Sequence, residues 1–366
     1  MCSTILSSIP IWLKYIYKLL GVIQFSDKPS QKKSVLIIPY MWPLPLYLFY
    51  SYIIIWAVLS LKSQEYTVFT SIIKYCDSLG IIASFLNMVT NCFVFYQRTP
   101  RLTLLLSQLC KCDGTEKQLN NWIKVYFMIL VFTILTFTQL NIFDISPAIQ
   151  LSYNIPIIIN IFELLFVGDI LSTLQQKFHV INQELVNEVA VIDKFPQTIA
   201  QRICQVQKLS NRHHILVDLA KEANELFSTT TLAAMVTLFA TVIDSIYFNL
   251  YLYANYNANF VNMFLFFNII WLAAQVSWFY VLLKIWSDIQ DEANSTILYV
   301  HDVWNKYMLK KKSVWQVRQL QIIAVRCVNS RLQFTAKKFI PLDWTLCHTM
   351  IAAVVTYVII LIQFKI

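Results

Sequence analysis

A chain of 366 residues with 57% hydrophobic, 15% aromatic and only 13% charged side chains lies far from the globular norm, in which about a quarter of residues are charged. With four glycines in all, it has no material for phosphate-cradling loops, dinucleotide fingerprints or nucleophile elbows. The composition is that of an all-α, polytopic membrane protein, and enzyme chemistry finds no motif in it.

The predicted elements begin with residues 1–42. Ile5 to Ile23 is apolar but carries Lys14 and Lys18, with no charged leader before it and no small-residue cleavage site after it. It reads as an interfacial amphipathic helix in a cytoplasmic N-terminal segment, which Lys28, Lys32 and Lys33 extend towards Pro39, Pro43 and Pro45.

Hydropathy then places spans at 44–61, 78–96, 122–142 and 152–171, making 43–171 a block of four transmembrane helices. Two more follow at 229–253 and 260–285, and the seventh occupies 341–366. Between them, 172–228 and 286–340 are long, nearly free of proline and free of glycine. Apolar side chains recur there at helical spacing, as in Leu216, Leu219, Ala223 and Leu226 or Val317, Leu320, Ala324 and Cys327. Spans four to seven are therefore expected to continue as helices beyond the bilayer and to pack into a shared anchor bundle.

Charge orients the spans. The N-terminal segment and the second, fourth and sixth loops together hold 24 lysines and arginines, against 3 in the odd loops and the tail. The positive-inside bias puts the N-terminus in the cytoplasm and the C-terminus outside, and it accounts for the net charge of +9 without nucleic acid. This sidedness is opposite to that of rhodopsin-like receptors, and the last span lacks the lysine a retinal protein needs.

The connections on the outer side are short, so an external ligand has to be taken in a cleft between helices. Of eight cysteines only Cys76 falls in an outer loop, which leaves no extracellular disulfide within the chain. Cys110 and Cys112 lack a second pair or a nearby histidine to complete a metal site, and no cofactor or metal is expected. Asn294-Ser295-Thr296 has the form of a glycosylation triplet but lies inside. His213 and His214 point to different azimuths and read as packed or solvated side chains.

Polar groups within the spans carry the functional signal. Asp244, Tyr247 and Tyr251 share one face of span five, and Trp271, Gln275 and Trp278 repeat that spacing on span six. Asn141 and Asp144 end span three on the outside, and Tyr153 and Asn154 begin span four. Such a set suits an aromatic, hydrogen-bonding pocket open to the outside, with the deep carboxylate of Asp244 the costliest member. Glu163 and Asp169 on span four are expected to pair with the intracellular helices.

The last span has a periodic polar edge. Thr345, Thr349, Ala352, Thr356, Ile359 and Gln363 return to within roughly 40° of one azimuth. A stripe of this kind faces either protein, through tight helix packing, or water.

Within it, Thr356-Tyr357, five apolar residues and Gln363-Phe364 match at every position the TYhhhhhQF signature of insect gustatory receptors, which the chain resembles. Phe334-Thr335-Ala336 and Ile340-Pro341-Leu342-Asp343 resemble that family's approach to its final helix, and His214 and Asn224 match a His and an Asn of its fifth helix. Lys337-Lys338 departs from the pattern, where a glycine is common.

The resemblance implies a tastant-gated, non-selective cation channel, a homo- or hetero-tetramer in the plasma membrane of chemosensory neurons. Its partners would be a small-molecule tastant, other gustatory receptor subunits and the lipid bilayer. One helix per subunit cannot enclose a pore, so the family's last helix lines a shared axis. On that reading Thr349 and Thr356 line the pore, Ile359 or Ile360 forms an apolar constriction, and Gln363 and Phe364 form the gate near the outer mouth. Asp244, Tyr247, Tyr251, Trp271, Gln275 and Asn141 would then belong to the ligand cleft among helices two to six. An odorant-receptor-like channel subunit, an accessory subunit that binds no ligand and a helical transporter are the alternatives. The ligand itself, sugar, bitter compound or other, is not written in the composition.

Overall fold

The computed structural model describes Tyr15, Tyr17 and Leu20 in the N-terminal segment and residues 44–63, 68–111, 147–191, 199–255, 258–309 and 314–363. The helices are α1 (Leu44–Ser63), α2 (Val68–Lys111), α3 (Pro147–Val191), α4 (Ile199–Asn255), α5 (Ala258–Leu309), α6 (Val314–Asn329) and α7 (Trp344–Gln363). A two-stranded hairpin, β1 (Thr335–Ala336) and β2 (Ile340–Pro341), joins α6 to α7.

Among the described residues, four helices are long and apolar enough to cross a membrane, with candidate stretches at 78–95, 154–188, 201–250 and 268–308. Two shorter apolar helices, Leu44–Leu59 and Trp344–Ile360, match the first and last expected spans. The third, at 122–142, lies outside the described residues.

Length decides what these helices do. At 1.5 Å per residue, the 45, 57 and 52 residues of α3, α4 and α5 extend roughly 68, 86 and 78 Å, more than twice a hydrocarbon core of about 30 Å. Each runs unbroken from an apolar half into a more polar half, since almost no glycine or proline interrupts it. α2 also continues to Lys111, past the end expected at 96 and through Pro100.

The core lies where the polar halves meet. Leu174, Phe178 and Leu185 of α3, Leu216, Val217 and Ala220 of α4, Val300 and Val303 of α5, and Leu320 and Cys327 of α6 are all buried. Asn182 of α3 organises the polar contacts of this bundle. Its Nδ2 donates to Glu292 Oε1 (2.8 Å) and Ser295 Oγ (2.9 Å), and its Oδ1 accepts from Thr296 Oγ1 (2.6 Å). The glycosylation-like triplet is thereby consumed by packing, with Thr296 fully buried.

His213 is also buried there, its ring edge-to-face on Phe178 (5.4 Å) and its Nε2 at 3.0 Å from the Ala293 carbonyl. Burial holds its pKa below the ordinary value of 6.5. Tyr17 and Leu20 are buried in the same continuous core, Tyr17 against Phe162 and Phe166, while Tyr15 is exposed.

Two prolines inside helices have distinct effects. Pro156 lacks the N–H that would bond the carbonyl of Ser152, and the Tyr50 hydroxyl of α1 donates to that carbonyl at 2.8 Å. The break in the α3 ladder thus becomes the tie between α1 and α3. Around Pro100, Thr99 Oγ1 donates to Phe95 O (2.8 Å) and Thr103 Oγ1 to Pro100 O (2.8 Å), local side-chain bonds back onto the helix on either side of the proline. Gly168 of α3 faces Ile285 of α5, where a Cβ would meet Ile285 Cδ1 at 3.4 Å, an ordinary contact distance.

The hairpin corrects the expectation of continuous helix up to Ile340. Lys337 and Lys338 have φ of 51° and 62°, and Phe339 N donates to Ala336 O at 3.0 Å, so the turn places both central residues in the left-handed region. Glycine adopts that conformation freely and lysine does so at a cost of about 1–2 kcal/mol. Lys338→Gly is expected to raise the stability of the detergent-solubilised protein by about 1 kcal/mol, after the entropy glycine adds to the unfolded chain, whereas Lys338→Val lowers it. Thermal melting of both variants measures the pair; equal melting would contradict the turn assignment.

Candidate functional site

The expected ligand-cleft residues converge on the seam between α4 and α5. These helices run antiparallel, and two contacts fix their register: Asn268 Nδ2 donates to Asn249 Oδ1 (2.9 Å), and Thr241 Oγ1 donates to Gln275 Oε1 (3.1 Å). In that register Asp244 and Tyr247 fall between the two contacts, level with Trp271. Tyr247, Trp271 and Gln275 are buried and Asp244 is half-buried. Trp271 forms a buried cluster with Ile161 of α3, and Ile157, Ile158 and Leu165 of α3 pack around that cluster, an apolar lining on that side of the seam.

Gln275 has further capacity. Its Oε1 is taken by Thr241, while its buried Nε2 has no hydrogen-bond partner among the described residues. Asn141 lies outside the described residues, and so do the side chains of Tyr251 and Trp278. Thr241, Ser245, Asn249 and Asn268 were not singled out in the sequence. Their signal is nonetheless present: Thr237, Thr241, Ser245 and Asn249 repeat every four residues along one face of α4.

A second polar seam lies between α2 and α3. Asn91 Nδ2 donates to Asn160 Oδ1 at 3.3 Å. Ser84 and Asn87, on the same face of α2, are at most 1% exposed and find no partner among the described residues for the hydroxyl or for either amide atom, nor does Asn154 Nδ2 on α3. Leaving such groups unpaired at low dielectric costs about 1–3 kcal/mol each, so together they form an interior with hydrogen-bonding capacity in reserve.

The seam ends at an ion pair. The Arg98 guanidinium donates to the Glu163 carboxylate, both nearly fully buried, and Arg98 also lies over the Phe227 ring of α4 at 4.6 Å. Glu163 therefore pairs with the inner continuation of α2, not with the long helical segments 172–228 and 286–340 for which it was expected. The contact nevertheless joins three helices, because Phe227 contributes the third face.

The residues expected to line a pore sit on α7. Asp343 caps the helix, its carboxylate accepting from Thr345 N (3.0 Å) and from the Thr345 hydroxyl. Leu346 is buried, Cys347 and Met350 pack against the core, and Tyr357 meets Phe239 of α4 edge-to-face at 5.8 Å. Away from this face, Thr345, Thr349, Ala352, Thr356, Ile359, Ile360 and Gln363 are all exposed. Thr349 and Thr356 return their hydroxyl protons to the carbonyls of Thr345 (2.9 Å) and Ala352 (2.8 Å), leaving the oxygen lone pairs facing outward. Phe364 lies outside the described residues.

Long apolar helices, interior polar seams and a terminal helix with an exposed polar edge define a helical membrane-protein architecture. The 7tm Chemosensory receptor family model matches residues 13–366, and the chain belongs to that family, a receptor family and not an enzyme family. No curated protein matches it. In fold it is similar to the insect olfactory receptor OR5 from Machilis hrabei, at a TM-score of 0.61 with 13% identity over 97% of each chain. The structure of that receptor in complex with eugenol matches at a TM-score of 0.59 with 14% identity, over 96% of this chain and 98% of the other.

Removing one partner of the ion pair strands a buried charge. Glu163→Ala is expected to destabilise the protein by about 3–5 kcal/mol, while the double variant Arg98→Met/Glu163→Leu recovers most of that loss. Melting of the purified variants checks this, and equal damage in the single and double variants would contradict it.

Proposed function

We propose that this chain is a gustatory receptor subunit acting as a tastant-gated, non-selective cation channel in the plasma membrane of chemosensory neurons. The N-terminus is cytoplasmic, the C-terminus is extracellular, and the polar halves of α3, α4 and α5 form with α6 a cytoplasmic anchor. A small molecule enters from outside and binds among the spans, contacting Asp244, Tyr247, Trp271 and Gln275, with Tyr251 and Asn141 at its outer rim. Because it binds one helix arrangement better than the other, it shifts the balance towards an open pore.

The observation that carries the reading is the free edge of α7. A helix that packs on α4 through one face and leaves threonines and an amide exposed on another is suited to an aqueous axis shared with copies of itself. Four subunits around that axis place Thr349 and Thr356 along the pore, Ile359 and Ile360 at the constriction, and Gln363 and Phe364 at the gate. The exposed apolar side chains of α6, Trp315, Ile322, Val325 and Val328, offer a second surface for contact between subunits.

The complete terminal signature favours a gustatory over an odorant receptor. An olfactory receptor-like subunit is the second reading, favoured by the fold shared with OR5. Eugenol in the structure of that receptor supports the idea that the spans take up a small aromatic molecule.

Currents in cells expressing the chain test the assignment. Thr356→Leu is expected to lower single-channel conductance by about half or more, and Ile360→Ala to produce a leak in the absence of any tastant. Conductance and gating unchanged in Thr356→Leu, Ile360→Ala and Gln363→Ala together would contradict the pore assignment.

A further inference from the structure

The linker that carries the chain from α6 into α7 is held by α5. Gln290 Oε1 accepts from Phe334 N (3.2 Å), and its Nε2 donates to Leu342 O (3.1 Å) and to Trp286 O (3.3 Å). Asn294, one turn further along α5, takes both backbone groups of Leu332: Nδ2 donates to the carbonyl and Oδ1 accepts from the N–H, each at 3.0 Å. A side-chain amide presents the same donor and acceptor as a peptide group, so the two residues act as an added strand edge along the linker. Trp286, one turn before Gln290, presses edge-to-face on Phe334 at 4.7 Å.

Burial gives these bonds their weight. Leu332, Phe334 and Leu342 are at most 1% exposed, and Leu342 N donates to Phe334 O (3.0 Å), closing the linker on itself. Water cannot replace an amide lost from this arrangement without reopening it. Gln290 touches both the incoming limb, at Phe334, and the outgoing limb, at Leu342. The next residue is Asp343, the cap of α7. The root of α7 is thus fixed to three successive turns of α5, although the chain reaches it from α6.

α5 is also the helix that carries Trp271 and Gln275. Roughly 22 Å of uninterrupted helix separates Gln275 from Gln290. A rigid element spanning both places supplies what coupling between two sites requires. We propose that Gln290 and Asn294 are positioning residues for gating: they tie the root of α7 to α5, hold the pore helix closed at rest and deliver to it any shift of α5 at the cleft. The gating part of this inference rests on the channel reading above.

Gln290→Glu and Asn294→Asp test it, because each keeps its acceptor and replaces the donor aimed at Leu342 O or Leu332 O with an oxygen. Tastant-free current is divided by the number of receptors at the cell surface, and hydrogen exchange is followed in the purified protein. Per-receptor resting current is expected to rise about fivefold or more with the native gate and not to rise further when Ile360→Ala has already opened it. Backbone amides over 332–350 are expected to exchange about tenfold faster, with those of α3 and α4 unchanged.

Exchange unaltered over 332–350, or accelerated equally throughout the bundle, would overturn the positioning role. So would an unchanged per-receptor current when Ile360→Ala alone conducts. If Ile360→Ala reaches the surface and carries no current, the channel reading fails separately, and the exchange measurement alone decides whether the two amides position α7.

Discussion

Among the described residues, α7 packs on the rest of the chain through Leu346, Cys347, Met350 and Tyr357, with Trp344 against Tyr280 at its start, and is anchored at its root by Asp343 and by the linker that Gln290 and Asn294 grip. Helix geometry does the rest. With 100° between successive residues, the packed side chains Leu346, Cys347, Met350 and Tyr357 centre on a face roughly 140° from the middle of the threonine edge. That edge is open in a single chain, and the most economical environment for it is water at an axis between chains. The proposed pore, the need for more than one subunit and the coupling route all depend on this one-sided attachment.

Two kinds of packing energy hold the bundle together. Within the hydrocarbon, apolar side chains such as Leu48, Ile55, Leu86 and Ile269 gain nothing by leaving lipid, so helices are paired by close approach and by polar contacts. Gly168 against Ile285, Tyr50 on the carbonyl freed by Pro156, Thr241 with Gln275 and Arg98 with Glu163 are contacts of that kind. In the proposed anchor, Leu174, Phe178, Leu216, Val300 and Leu320 share one buried core, and removal of apolar surface from water stabilises at about 25 cal/mol per Å². The continuous helices α3, α4 and α5 join the two regimes, so a displacement in one is felt in the other.

Much of this was legible in the sequence. Unbroken hydropathy marked six of the helices now seen, and the scarcity of glycine and proline let α3, α4 and α5 be read as continuing past their spans. The azimuth of the α7 edge followed from its spacing alone. The rest depended on tertiary contacts that spacing does not encode. Pro156 is a helix defect until Tyr50 is brought beside it. Glu163 had no visible partner because Arg98 is far away in the chain and lies beyond the expected end of its span. The hairpin was hidden because lysines stand at Lys337 and Lys338, where the backbone conformation favours glycine, and the four-residue ladder from Thr237 to Asn249 gains meaning only once Gln275 and Asn268 of α5 are brought beside it.

The central claim is most directly tested by single cysteines placed along α7 and challenged with a membrane-impermeant thiol reagent applied from outside. Residues on the free edge, Thr345, Thr349, Ala352, Thr356 and Ile359, are expected to react with helical periodicity, fastest near the outer end, while Leu346, Met350 and Ala353 stay protected. Uniform protection along the helix, or reactivity confined to the face that packs on α4, would contradict an aqueous axis lined by this helix.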